Sequence, residues 1–187
     1  NMRPDSWDPM PVPYLASPPE LIPIDVGRQL FVDDFLIEYS DLKRVFHQPV
    51  RYEKNPVLRP ETKTEMNHGF CPMAAPFSDG CFYDPEDNLF KVWYQAGWFD
   101  GTALATSKDG IYWERPEFDV VPGTNLVLDP KAALGEDRRR DGVSVWLDHH
   151  ARNPKEKFKM YWWGRKGKLG EKLVNGPGHL LTSPDGI

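Results

Sequence analysis

An internal repeat constrains the possible folds of this chain more than any other feature of its sequence. The first copy has a segment at 79–84 that opens with Asp-Gly, an aromatic run at 89–95 and the turn residues Ser107-Lys108-Asp109-Gly110-Ile111. The second copy shows the same landmarks in the same order, at 141–148, 157–163 and 179–187. Each copy is typical of strand, polar turn, strand, loop and strand. The repeat therefore predicts an all-β fold made of antiparallel meanders.

The size of the repeat favours a β-propeller over a solenoid, because it holds three strands in roughly sixty to seventy-five residues. We expect blades at 79–121 and 141–187, with an outer strand of the first blade at 118–121, inside a propeller region spanning 29–187. An apolar stretch at 29–37 predicts one more strand, and the Pro-rich residues 1–28 predict an extended arm. The second repeat stops before its expected outer strand. We therefore expect a fragment of about two blades, whose partner is the remainder of the propeller.

Composition narrows the class of ligand. The net charge of −5 and the pI near 5.5 argue against nucleic acid, since a phosphate-binding surface needs a surplus of basic residues. No apolar run is long enough to predict a membrane span. The two cysteines, Cys71 and Cys81, are too few for a four-ligand zinc site and fit either one hairpin disulfide or two free thiols. We predict no cofactor.

Three short motifs carry a resemblance to a known family. Residues 78–95 resemble, without a gap, the first-blade stretch of glycoside hydrolase family 32. Residues 107–114 are similar to the Ser-x-Asp-Gly-x-x-Trp-Glu turn of that family and of family 43, and Asn55-Pro56-Val57-Leu58 is similar to the segment before their first blade. The resemblance implies a five-bladed propeller that acts on carbohydrate. Of the family's Asn-Asp-Pro-Asn-Gly motif only the aspartate remains here, as Asp79.

The resemblance also implies roles for two acids. Glycoside hydrolysis needs an ionised carboxylate that attacks or activates water and a carboxylic acid that protonates the leaving oxygen. Asp79 is the predicted first carboxylate. Asp141 lies in Arg140-Asp141-Gly142, which resembles an Arg-Asp-Pro signature of a later blade, and is predicted to stabilise charge or hold sugar hydroxyls. We expect the general acid beyond residue 187. The competing interpretation is that Asp79 and Asp141 only cap Asp-Gly turns.

The remaining candidates are sugar contacts. His68 precedes Asp79 and is predicted to donate to a hydroxyl, Trp98 lies in a loop as a stacking platform, and Arg140 is the third predicted contact. No metal site is predicted, because the adjacent His149 and His150 point to opposite faces of a strand. Asp109 and its repeat equivalent Asp185 are predicted to be structural turn residues.

Three functions are compatible with this sequence. The first is a glycoside hydrolase acting on an oligo- or polysaccharide, in an extracellular or periplasmic location, with a cytoplasmic one left open. The second is a propeller that binds glycans or proteins without catalysis. The third is a propeller-type glycoside phosphorylase, for which Arg138–Arg140 is the one basic cluster. The sugar, its linkage and the stereochemical outcome stay open.

Overall fold

The computed structural model describes residues 17–25, 30–135, 138–167 and 172–187. The chain divides into two compact units, 1–50 and 51–187. Most of the predicted arm at 1–28 lies outside the described residues. In the first unit, residues 30–37 form bends and turns and not the strand that their apolar character predicts, and no strand partners them within 30–50. The side chains of Leu30, Phe31 and Val32 are accordingly exposed.

The second unit contains a five-stranded antiparallel sheet that includes the first repeat. Its strands are β1 (Ala74–Ala75), β2 (Cys81–Asp84), β3 (Leu89–Ala96), β4 (Gly101–Ser107) and β5 (Leu126–Leu128). The order is β1-β3-β4-β5, and β2 pairs with β3 on the same edge as β1. The predicted polar turn at 85–88 joins β2 to β3.

The second repeat forms a separate three-stranded antiparallel meander. It comprises β6 (Arg138–Leu147), β7 (Phe158–Lys166) and β8 (Val174–Ser183). The all-β class and the two meanders are therefore confirmed. The described residues contain no closed ring of sheets, so the propeller stays a prediction.

The outer strand of the first repeat lies further along the chain than predicted. Phe118 pairs only as an isolated bridge with Thr124, and residues 119–123 turn back through Gly123, whose φ is +76°. The strand that extends the sheet is β5, which pairs with β4. The prediction of an outer strand at 118–121 was wrong, because the chain turns at Pro122-Gly123 and this segment does not pair with the sheet.

Helical structure is short. Over the described ranges, the α-helices are α1 (Lys63–Met66) and α2 (Pro130–Leu134), accompanied by 3-10 turns at Asn67–Gly69 and Pro154–Glu156. Thr62 and Glu65 form a capping box at the start of α1, which satisfies main-chain amides that a short helix leaves without partners. Among the described residues, no helix combines the length and apolar character that a membrane crossing requires.

The two sheets pack face to face through an apolar core. Alternation along β6 sends Val143, Val145 and Leu147 into this layer, whereas β5 contributes the consecutive residues Val127 and Leu128. The buried members are Trp93, Leu104, Val127 and Leu128 from the first sheet, and Val143, Val145, Leu147, Phe158 and Trp162 from the second. The sheets also meet near their edges, where the main-chain amide of Val145 donates to the carbonyl of Asp79 at 2.6 Å. This edge contact brings the start of one repeat against the start of the other.

The two Ser-x-Asp-Gly turns have matching hydrogen bonds. The hydroxyl of Ser107 accepts from the amide of Gly110 at 2.9 Å, and that of Ser183 accepts from Gly186 at 2.7 Å. Both glycines have positive φ, +73° and +92°. Asp109 accepts from the amides of residues 111 and 112, which confirms its predicted structural role.

Candidate functional site

The centre of the candidate site is an ion pair between Asp79 and Arg140. Asp79 lies two residues before β2, and Arg140 lies near the start of β6. The Nη2 of Arg140 donates to Oδ2 of Asp79, and its Nε donates to the hydroxyl of Thr102 on β4 at 3.0 Å. Asp79 and Arg140 are both 0% exposed. The pair therefore joins the two repeats inside the protein and not at its surface.

One oxygen of the Asp79 carboxylate remains without a partner. Oδ1 is buried and accepts no hydrogen bond from any described residue. Burial raises the pKa of Asp79 to about 6, against the opposing charge and hydrogen bond of Arg140. Burial also lowers the pKa of Arg140, although the carboxylates of Asp79 and Asp141 oppose this. Burial and the charge of Arg140 thus act on the pKa of Asp79 in opposite directions, and the effect of burial is the larger one.

Asp141 lies next to this pair on a β-bulge. The register between β6 and β7 shifts between Arg140 and Gly142, so Asp141 has no residue opposite it in the ladder. Its Oδ2 accepts from Nε of Arg165 on β7 at 2.6 Å, and its side chain is 25% exposed. Its carbonyl accepts from Nη1 of Arg140 at 3.4 Å. The bulge therefore gives the second acid access to solvent, whereas Asp79 has none.

Two aromatic side chains lie close to the guanidinium of Arg165, the partner of Asp141. The Cζ of Arg165 lies 5.7 Å from the ring centroids of both Phe99 and Trp163. Trp163 and Tyr161 also line an open cavity of about 440 Å³ together with Ser78 and residues 142–144 of β6. Asp141 precedes this stretch of β6 in the chain but is not among the residues that line the depression, and its carboxylate is linked to Trp163 through Arg165.

Of the predicted sugar-contacting residues, only Arg140 lies with Asp79 and Asp141. Arg140 joins Asp79 and Asp141, but its own guanidinium is buried and engaged by the protein, which leaves it unavailable to a phosphate ion. Trp98 is half-buried and packs edge-on against Phe99, with ring centroids 4.6 Å apart. His68 lies in a different cavity, with left-handed backbone at φ 53°.

Two residues of this site, Thr102 and Arg165, and a buried glutamate elsewhere, Glu65, were not identified from the sequence. Thr102 and Arg165 occupy no motif, and only the pairing of strands places them beside Arg140 and Asp141. Glu65 anchors a buried network with Tyr94 and Arg115, and the Thr62-x-x-Glu65 capping box was a signal that could have identified it.

The fold and this cluster define a mostly β protein with a buried acid–guanidinium pair between two antiparallel sheets. Comparison with protein-family models, with curated proteins and with solved structures found no match.

Within the part of the chain that the structure describes, no group of three or more His, Cys, Asp or Glu side chains is placed to hold a metal ion. Cys71 and Cys81 are both free and exposed.

Proposed function

We propose that this protein is a carbohydrate-active protein of the glycoside hydrolase type, acting through carboxylates. The observation that carries the proposal is the meeting of the two repeat-opening acids at one guanidinium, where Arg140 contacts the side chain of Asp79 and the main chain of Asp141. The resemblance of residues 78–95 to family 32 supports the same class. The aromatic rings of Trp163 and Tyr161, in the depression lined by the residues that follow Asp141 on β6, offer surfaces on which the apolar face of a sugar ring can stack.

In this proposal the two acids have different tasks. Asp79, with a pKa near 6, is the carboxylate that attacks the anomeric carbon or activates water, and its unpartnered Oδ1 is the oxygen left for that step. Asp141 is the exposed acid that holds sugar hydroxyls or stabilises the oxocarbenium-like charge. Because Asp79 is 0% exposed, this role requires that its carboxylate become accessible to the substrate.

The test is release of reducing sugar from a panel of neutral oligosaccharides. Asp79→Asn and Asp141→Asn should each lower kcat by about 10²–10⁴-fold, the range expected for losing one acid–base group. Asp119→Asn, at an exposed turn, is the matched control and should leave turnover unchanged. Circular dichroism of each variant separates loss of chemistry from loss of fold. Normal turnover by folded Asp79→Asn protein contradicts the proposed role.

A second candidate function, glycan binding without cleavage, is favoured by the complete burial of Asp79. A carboxylate that is enclosed and paired with arginine can serve as a joint between the repeats, with Asp141 and the aromatic side chains alone facing the sugar. Under this alternative the wild-type protein binds oligosaccharides but releases no sugar from them. Asp141→Asn then weakens binding, and Asp79→Asn changes stability only.

A further inference from the structure

A second cavity, separate from the Asp79–Arg140 pair, opens beside the first sheet. Its volume is about 520 Å³, within the range of small-molecule sites. One wall is the α1 segment, which contributes Thr64 and His68. The facing wall contributes Asp100, from the loop between β3 and β4, and Lys131, from α2.

The helical wall of this cavity is fixed from behind by a buried network. The carboxylate of Glu65, which is 0% exposed, accepts from the hydroxyl of Tyr94 at 2.6 Å and from Nε of Arg115 at 2.8 Å. The backbone of α1 also packs directly on Gly97, where an added Cβ would lie 2.6 Å from the carbonyl oxygen of Thr64. A binding site held in this way is already formed before a ligand arrives, which lowers the entropic cost of binding.

The charges on the walls argue against an ionic ligand. Asp100 is paired with Lys131 at 2.7 Å, and Asp129 caps α2 by accepting from the amide of Lys131 at 2.9 Å. Lys63 and His68, by contrast, make no hydrogen bond or ion pair with any other described side chain. The carboxylates of Glu61, Asp100 and Asp129 line the same space as the ammonium groups of Lys63 and Lys131, so the cavity carries charges of both signs.

The same walls suit a neutral ligand that carries many hydroxyl groups. Such a ligand donates to carboxylates and accepts from Lys63 and His68, while its carbon skeleton contacts the apolar side chains of Val121 and Leu126. We propose that this cavity binds a neutral sugar unit of a glycan, at a position distinct from the Asp79–Arg140 centre. The inference rests on the proposed function for its carbohydrate class only, and it needs no cleavage.

The loop between β3 and β4 connects the two places. Phe99 contacts Arg165 at the candidate site, while the next residue, Asp100, lines the second cavity. Under this proposal, a glycan of several units would follow the loop to reach both places. We expect longer oligosaccharides to bind more tightly than a monosaccharide.

The first measurement is NMR titration of the histidine ring protons with xylotetraose, mannotetraose and cellotetraose, and with tri-galacturonate as the charged probe. The His68 signal, assigned by its loss in His68→Ala, should shift with at least one neutral probe, while the signals of exposed His149 stay in place. A shift with tri-galacturonate alone, or with no probe, overturns the proposal.

The second measurement is affinity by calorimetry for the neutral probe that binds. The double variant Lys63→Ala/His68→Ala should weaken binding about tenfold, the loss expected for removing one or two hydrogen bonds. The matched control, Lys155→Ala/His149→Ala, removes the same residue types at exposed positions elsewhere and should retain the affinity. Unchanged affinity of the first variant overturns the proposal. Binding at His68 without any sugar release refutes the hydrolase and leaves this inference standing.

Discussion

The guanidinium of Arg140 and the carboxylate of Asp79 form an ion pair in which neither side chain reaches solvent. The two residues are 61 positions apart and belong to different repeats and different sheets. Burying two charges costs more free energy than their attraction returns unless hydrogen bonds satisfy the remaining groups. Here Thr102 satisfies Nε of Arg140, whereas Oδ1 of Asp79 is left open.

Breaking this pair from one side should be costly. Asp79→Asn or Arg140→Gln alone should lower the free energy of unfolding by about 3–5 kcal/mol, because each leaves an uncompensated buried charge. The double variant should lose less than the sum, since it leaves no net charge behind. Urea unfolding measures all three. The exposed pair Asp34–Arg44 is the control, and its double-mutant cycle should give a coupling below about 1 kcal/mol. Additive losses at Asp79 and Arg140 contradict the pairing.

The stability contributed by Glu65 should depend on pH. Burial alone would raise the pKa of Glu65 above its ordinary value of 4.5, but hydrogen bonds from Arg115, Tyr94 and the amides of residues 61 and 62 lower it overall. The carboxylate therefore stabilises the fold fully above its ordinary pKa, and this stabilisation is lost as pH falls through the lowered folded value.

The comparison of wild type with Glu65→Gln tests this dependence. At about pH 7 the variant should be less stable by about 2–4 kcal/mol, and the difference should close as the pH is lowered below 4.5. Urea unfolding over a pH series is the measurement. Glu117→Gln, at an exposed position, should show no such change. If the difference in stability between wild type and Glu65→Gln instead grows as the pH falls, the pKa of Glu65 is raised and not lowered by folding.

The turn at Asp109 should tolerate asparagine better than alanine. Oδ1 of Asp109 accepts from the amides of Ile111 at 2.8 Å and Tyr112 at 2.9 Å, and an asparagine carbonyl can accept the same bonds. Asp109→Ala should lower Tm by a few degrees, and Asp109→Asn by less. Differential scanning fluorimetry measures both, with Asp119→Ala as the exposed control. Equal losses for the two substitutions at Asp109 would show that its charge, and not the acceptor, holds the turn.

Gly186 should be sensitive to any added side chain, because the second repeat closes onto the first at this residue. Its carbonyl accepts from the indole Nε1 of Trp93 at 2.9 Å, and a Cβ built on it would lie 2.5 Å from Cζ2 of that ring. Gly110 has a similar positive φ of +73° but no atom within 4 Å of such a Cβ. Gly186→Ala should therefore cost about 1–3 kcal/mol more than Gly110→Ala, the range for overpacking a core. Equal costs would mean that backbone conformation alone decides the loss.

Local patterns were sufficient for much of the fold. The Ser-x-Asp-Gly turns, the hairpin at 85–88 and the two separate meanders follow from alternation and turn chemistry, which act over a few residues and need no tertiary partner. The same patterns misplaced two strands. Residues 30–37 have strand-like composition without a strand to pair with, and the run at 118–121 is turned back by Pro122-Gly123 before it can lengthen the sheet.

The sequence by itself determined the all-β class and brought Asp79, Asp141 and Arg140 to attention through the repeat. It did not determine their environments, because exposure and partners depend on how strands distant in the chain come to lie side by side. Only the tertiary structure shows that Thr102 contacts Arg140 and that Arg165 contacts Asp141. It also shows that Asp79 is buried and that His68 lines a different cavity. Burial and the pairing of charges set the pKa and the accessibility of a carboxyl group, and both are properties of the packed interior.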